Sequence, residues 1–304
     1  MPQHLRALQE FTKEELLAFI DRAIVLKKEK AEGIIHQHMV GKTVALIFEK
    51  PSTRTRVSFE SAMYGLGGQV LFLSGRDTQL SRSEPLKDTA RVMARYVDGV
   101  VVRTFGQEVV EELANYSSVP VINALTDLHH PCQILSDCMT VIEKKGDIDK
   151  LHIAWVGDGN NMANSWIQAA GKLGFSLTLA CPEGYEPDQE ILAEARKEAA
   201  KEIKLIRDPA EAVKGADVIN VDVWASMGQE SEQDERLKLF AAYQLNNELL
   251  QKAPADAIVL HCLPAHREEE ITEEVLEGPQ SVVWDQAENK MHIHKAILEI
   301  MLSK

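Results

Sequence analysis

Apolar residues near the start of the chain recur at helical spacing: Leu16, Leu17, Ile20, Ile24 and Leu26 predict an amphipathic helix over about Thr12 to Lys30. The pattern then changes to short apolar runs, Val44–Phe48, Val70–Leu73, Val100–Val102 and Val119–Ile122, which read as buried strands. Between them lie helical stretches: VSFESAMYGL, closed by Gly67 and Gly68, then Leu86–Tyr96 and Glu108–Tyr116. A further helix from about Gln133 to Lys145 ends at Gly146. Alternation of this kind favours parallel sheets with helices on both faces.

A second series follows, with strands expected at Ile153–Val156, Leu177–Ala180, Val218–Val221, Ile258–Leu260 and Val282–Trp284. Helices are expected near Met162–Leu173, Gln189–Lys201 and Phe240–Lys252, and a final helix over Ala287–Leu302 has no strand after it. The fold class is therefore α/β: two α/β domains, each with a mostly parallel sheet flanked by helices, dividing near residues 134–150. The longest loop is expected around Trp224–Glu235, where SMGQESEQDE reads as a mobile, solvated segment. Neither internal repeats nor low-complexity tracts interrupt the series.

Composition narrows the function classes. A hydrophobic share of 45% and a charged share of 26% are ordinary for a globular chain of 304 residues. With 33 Lys and Arg against 47 Asp and Glu, the formal charge is −14, which repels nucleic-acid phosphates. No apolar run reaches the roughly 18 residues of a membrane span, and MPQHLRALQEFTKEELL lacks a signal peptide's apolar stretch. Cys132, Cys138, Cys181 and Cys262 form no CxxC pair, so a reduced, cytoplasmic protein is expected.

The sharpest chemical signal is Ser52-Thr53-Arg54-Thr55-Arg56, between a strand and a helix. Helix N-termini carry unpaired N–H groups and partial positive charge, and the hydroxyls and guanidiniums here add donors suited to phosphate oxygens. The competing reading is a plain helix cap with solvated arginines, but a cap does not need two arginines beside it. His130-Pro131-Cys132-Gln133 follows a strand, and its proline gives the imidazole and carboxamide defined directions. Alone, that pair is as compatible with a structural turn, and His129 beside it is expected to be exposed.

Two more segments sit at strand ends, where α/β sheets bind ligands. Asp222-Val223-Trp224-Ala225-Ser226-Met227-Gly228 offers a carboxylate for a substrate ammonium, although a capping aspartate is equally compatible. His261-Cys262-Leu263-Pro264 suggests a cysteine hydrolase, yet neighbouring strand residues point to opposite faces, so His261 is poorly placed to activate Cys262. The histidines lie without zinc-ligand spacing to the cysteines. Gly157-Asp158-Gly159 begins like a dinucleotide fingerprint, but Met162 occupies the third glycine's place, so NAD ranks low. Asn160 and Asn161 at that turn suit a polar substrate or, equally, a helix cap.

Taken together and in this order, these segments resemble the aspartate/ornithine carbamoyltransferase superfamily over nearly the whole chain. STRTR (52–56) and HPCQ (130–133) are similar to its carbamoyl-phosphate signatures, and DVWASMGQE (222–230) and HCLPAHR (261–267) to segments marking its ornithine branch. SRSEPLKDTARVMARY (81–96) and VVRTFGQE (101–108) also fit. The resemblance implies a carbamoyl-phosphate-binding domain over 1–145 and an ornithine-binding domain over 146–304, with the active site between them. The last helix, about 287–304, would return to the first domain, and the assembly would be a homotrimer with sites near subunit interfaces.

By matching motif positions, Ser52, Thr53, Arg54, Thr55 and Arg103 would bind phosphate, while His130 and Gln133 hold the carbamoyl end. Gln79 would reach a neighbouring subunit's site. Asn161, Asp222, Ser226 and Met227 would bind ornithine, with Cys262 and Leu263 near the reacting amine. The implied reaction is amine attack through a tetrahedral intermediate, with no cofactor and no metal. Two positions depart from the family pattern. Ser81-Arg82-Ser83-Glu84 replaces Gly-Arg-Gly-Glu, and Ala287-Glu288-Asn289-Lys290 ends in lysine where the family has arginine. Lysine keeps charge but loses the planar fork, so Lys290 is expected to bind carbamoyl phosphate more weakly. The alternatives are transfer to another amine such as putrescine, a weakened carbamoyl-phosphate-binding homologue, and, more distantly, a dinucleotide-dependent oxidoreductase.

Overall fold

The computed structural model describes residues 1–75, 84–225 and 233–303. The chain divides into two compact units, Met1–Met139 together with Glu288–Lys304, and Thr140–Ala287. In the first, α1 (Lys13–Ala31) precedes β1 (Thr43–Phe48), α2 (Thr53–Tyr64), β2 (Gln69–Ser74) and α3 (Leu86–Tyr96). Then come β3 (Gly99–Arg103), α4 (Gln107–Tyr116), β4 (Val121–Leu125) and α5 (Pro131–Lys145). The second unit runs β5 (His152–Val156), α6 (Asn161–Leu173), β6 (Ser176–Ala180), α7 (Gln189–Glu198), β7 (Ile203–Ile206) and α8 (Pro209–Val213). It continues with β8 (Val218–Val221), α9 (Gln233–Phe240), α10 (Asn247–Leu250), β9 (Ile258–His261) and α11 (Glu273–Leu276), and α12 (Val283–Leu302) closes the chain.

Both sheets are wholly parallel, in the orders β2-β1-β3-β4 and β7-β6-β5-β8-β9. This α/β architecture follows from the strand composition. β1, β3, β4, β5 and β8 are nearly continuous buried apolar runs, as strands covered on both faces require. On one face of the first sheet, Ala45, Ile47, Val100 and Val102 pack with Ala90, Val110 and Leu113 of α3 and α4. Every strand of a parallel sheet ends at the same edge, so the loops after β1, β3 and β4 gather there, as do those after β5, β8 and β9 in the second unit.

Local signals set the helix starts. Thr12 caps α1 in a reciprocal box with Glu15, and Ser52 caps α2 by accepting from the Thr55 N–H at 3.2 Å. Two expectations fail, and one strand is unanticipated. Val282–Trp284 is not a strand: Ser281 makes a single bridge to Val259, and α12 begins at Val283. A three-residue apolar run has no periodicity with which to tell strand from helix. β7 was not anticipated because Ile203–Ile206 is a partly exposed edge strand carrying a lysine. The helix expected over Phe240–Lys252 breaks where Leu245 bridges to Ile271 and Asn246 caps α10. Most of the loop expected around Trp224–Glu235 lies outside the described residues, and α9 starts at Gln233. No described helix is long and apolar enough to cross a membrane.

Candidate active site

In the first sheet the strand order reverses between β1 and β3, the place where α/β sheets form a crevice at their carboxyl edge. Ser52 follows β1, and Arg103 ends β3 opposite Phe48, beside a register shift against β4. Ser52 Oγ also donates to Thr55 Oγ1 at 2.9 Å, which orders two hydroxyls at the N-terminus of α2. Thr53 and Arg54 are exposed, whereas Thr55 and Arg103 are buried. Arg56 has a structural partner instead: it binds Glu60 at 2.8 Å and lies over the Phe72 ring at 3.7 Å.

His130, after β4 at the start of α5, is buried. Burial pushes its pKa well below the ordinary 6.5, and the positive charges of Lys290 and Arg103 push it further, so it is an uncharged imidazole at neutral pH. Lys290, on α12, donates to Gln133 Oε1 at 2.8 Å, and Gln133 Nε2 donates to Asp137 Oδ1 at 2.8 Å. His294, one turn beyond Lys290, stacks on Phe59 with ring centroids 3.7 Å apart and bonds Ser58 Oγ at 2.8 Å. Helix α12 therefore braces both α2 and α5. His129, expected to be exposed, is instead buried, because its backbone closes a turn with Thr126. The Cys132 thiol is pushed up to about 12 by burial and is no nucleophile.

The second sheet reverses between β5 and β8. In the turn after β5, Asn160 caps α6 through the Met162 and Ala163 N–H groups and also donates to Asp222 Oδ2 at 3.0 Å. Cys262, after β9, donates its thiol hydrogen to Asp222 Oδ1 at 3.1 Å. Asp158 in the same turn pairs with Arg236 at 3.2 Å, and Arg236 also donates to the Trp224 carbonyl at 2.8 Å. The turn is tightly confined: a Cβ on Gly159 would lie 2.1 Å from Pro187 N and 2.2 Å from Glu186 C. Asn161 opens α6, half-buried.

Adjacent His261 and Cys262 take different hydrogen-bond partners. His261 Nδ1 accepts from the Leu263 N–H at 2.9 Å, so Nε2 carries the proton and donates to Glu270 at 2.8 Å. Ligand atoms of Asp222, His261 and Cys262 lie within 4.8 Å of one another, but both imidazole nitrogens are engaged, so the group reads as a hydrogen-bonded cluster. Leu263 holds the left-handed conformation at φ 58, a sparsely populated region for leucine.

The structure thus brings Ser52, Thr53, Arg54, Thr55, Arg103, His130, Gln133 and Lys290 to the edge of one unit, and Asn161, Asp222, Cys262 and Leu263 to the edge of the other. Gln79, Ser81, Ser83, Ser226, Met227 and Gly228 lie outside the described residues. Sequence reasoning passed over Asp137 and His294. For Asp137 a signal existed, a carboxylate four residues after Gln133 on a helix; for His294 the same spacing from Lys290 was present.

Two family models and several known proteins match the chain. A family model described as the carbamoyl-P binding domain of aspartate/ornithine carbamoyltransferase matches residues 3–143. Its companion, described as the Asp/Orn binding domain, matches residues 149–301. A curated ornithine carbamoyltransferase of Desulfotalea psychrophila is 78% identical over 302 residues, covering 99% of this chain and 100% of the relative. One from Geobacter metallireducens is 59% identical with the same coverage. The solved ornithine carbamoyltransferase of Pyrococcus furiosus superposes with a TM-score of 0.94 at 51% identity, covering 97% of this chain and 95% of its own.

Proposed function

Because the chain belongs to the aspartate/ornithine carbamoyltransferase family, we infer that it transfers the carbamoyl group of carbamoyl phosphate to the side-chain amine of L-ornithine, giving L-citrulline and phosphate. The observation that carries this reading in the geometry is the set of donors at the first sheet's edge. A capped helix N-terminus, Arg103, an uncharged His130 and Lys290 together suit an acyl phosphate.

On this reading the Ser52–Thr55 hydroxyls and N–H groups, with Arg54 and Arg103, hold the phosphate. His130 and Lys290 donate to the carbamoyl oxygen, and Gln133 accepts from the carbamoyl amine. Asn161 and Asp222, with Ser226 and Met227, hold ornithine, while Cys262 and Leu263 flank its reacting amine. The neutral amine attacks the carbamoyl carbon, forming a tetrahedral oxyanion. Its collapse breaks the bond to the phosphate oxygen, and the attacking nitrogen passes its proton to the departing phosphate. Donors already aimed at the oxyanion supply most of the acceleration, and holding both substrates together supplies proximity.

The same reading makes the protein a cytoplasmic homotrimer in which Gln79 completes a neighbouring subunit's site. Sedimentation at three times the chain mass checks the assembly. The activity is tested by citrulline formation from carbamoyl phosphate, with putrescine and aspartate offered in parallel. Turnover with ornithine alone is expected; turnover with either competitor at a comparable rate would overturn the assignment.

A further inference from the structure

The Gln133 carboxamide lies between two groups of opposite hydrogen-bonding character. An ammonium donates and a carboxylate accepts. Lys290 therefore keeps Oε1 on its side, and Asp137 keeps Nε2 on the other, each at 2.8 Å. All three side chains are buried, with exposures of 6% for Lys290, 2% for Gln133 and 0% for Asp137. Asp137 stands four residues after Gln133 on α5, the spacing that places two side chains on one helix face. The ends of an amide are nearly equal in size, so its neighbours decide which way it faces. Here both neighbours decide the same way.

We propose that Asp137 is a positioning residue that, by holding Gln133 Nε2, presents Gln133 Oε1 as an acceptor and so makes the pocket select an acyl phosphate whose acyl group carries an N–H donor. The proposal rests on the carbamoyl-phosphate reading and adds the residue that sets its selectivity. Carbamoyl phosphate has the required amine. Acetyl phosphate, with a methyl group in its place, is the near-isostere that lacks it and leaves Gln133 Oε1, buried and bonded only to Lys290, without its second donor. The lysine makes Asp137 decisive. Lys290 holds only Oε1, through an ammonium without a planar fork, so Asp137 is the partner that fixes the other end of the amide.

Titration calorimetry of the full chain with carbamoyl phosphate and with acetyl phosphate tests this, alongside steady-state citrulline formation. The wild type is expected to prefer carbamoyl phosphate by at least about tenfold. Asp137→Asn, whose own amide can pair with either end of Gln133, is expected to lose most of that preference. Its KM for carbamoyl phosphate should rise while kcat and the ornithine KM move less than about twofold. Asp137→Glu retains the acceptor and should recover the preference. A folded Asp137→Asn with the preference intact, or a wild type that binds both acyl phosphates equally, overturns the proposal. The wild-type comparison decides even where the variant does not fold. Failure of the ornithine reading looks different: no citrulline from the wild type, with acyl-phosphate preference retained.

Discussion

The Asp158 carboxylate lies 3.2 Å from the Arg236 guanidinium, yet its pKa is raised to about 6, because burial outweighs the neighbouring positive charge and Asp222 adds to the rise. A raised pKa means the folded protein favours the protonated acid. That contribution to stability is fully present below the ordinary 3.8 and is lost as pH rises through about 6. Thermal unfolding of the wild type and Asp158→Asn from about pH 4 to 7 checks it. The wild-type Tm should fall relative to the variant's across that window and run level with it above. Parallel curves throughout would mean that Asp158 titrates normally.

His130 and His294 behave in the opposite sense. Burial, reinforced by Lys290, holds both pKa values well below 6.5. Their contribution is present above the unfolded value and is lost as pH falls below it. Denaturant unfolding between about pH 7.5 and 5 should show stability declining with acid. His294→Leu removes one such proton uptake, so the slope should lessen by up to about 1.4 kcal/mol per pH unit. An unchanged slope would place the acid sensitivity elsewhere.

Lys290→Arg is expected to tighten carbamoyl-phosphate binding several-fold by restoring a planar fork. Lys290→Met should lower kcat by about 10²-fold, as does loss of a single oxyanion donor. Steady-state kinetics in carbamoyl phosphate reads both. If Lys290→Arg left affinity and turnover unchanged, the lysine would not contact the substrate.

Asn160 couples two loops by donating to Asp222 while capping α6. Asn160→Ala should raise the ornithine KM by about tenfold, with the carbamoyl-phosphate KM nearly unmoved, because the lost bond orients Asp222. Equal rises in both constants would point to general unfolding of the turn.

An alkyl ammonium near its free pKa of about 10.4 is mostly protonated at neutral pH, and the attacking species is the neutral amine. The kcat/KM for ornithine should therefore climb nearly tenfold per pH unit between about pH 6 and 9. A flat profile would mean that ornithine binds already deprotonated or that another step limits the rate.

The α/β class was legible because buried parallel strands are short apolar runs with little ambiguity, as in Val44–Phe48 and Val218–Val221. Edge elements were not. β7 carries a lysine and partial exposure, and Val282–Trp284 satisfies a strand and the first turn of a helix equally well. At the site, residues within one motif, Ser52 to Thr55 or His130 to Gln133, could be read locally. Contacts made across the fold could not. The pairing of Lys290 with Gln133 joins residues 157 positions apart, and Asn160 meets Asp222 across 62. The burial of His129 comes from a backbone turn that residue type does not announce.

The confinement of Gly159 bears on how this protein could change its substrate. Backbone atoms of Glu186 and Pro187 fill the space any side chain there would need, and a chain segment cannot swing aside as a side-chain tip can. Every missense codon at 159 should therefore be purged from a selected library. The turn that carries Asn160 would stay fixed through rounds of laboratory evolution. Acceptance of a different amine would then have to arise at other positions of the site, such as Asp222 and Cys262, which share the hydrogen-bond cluster with Asn160.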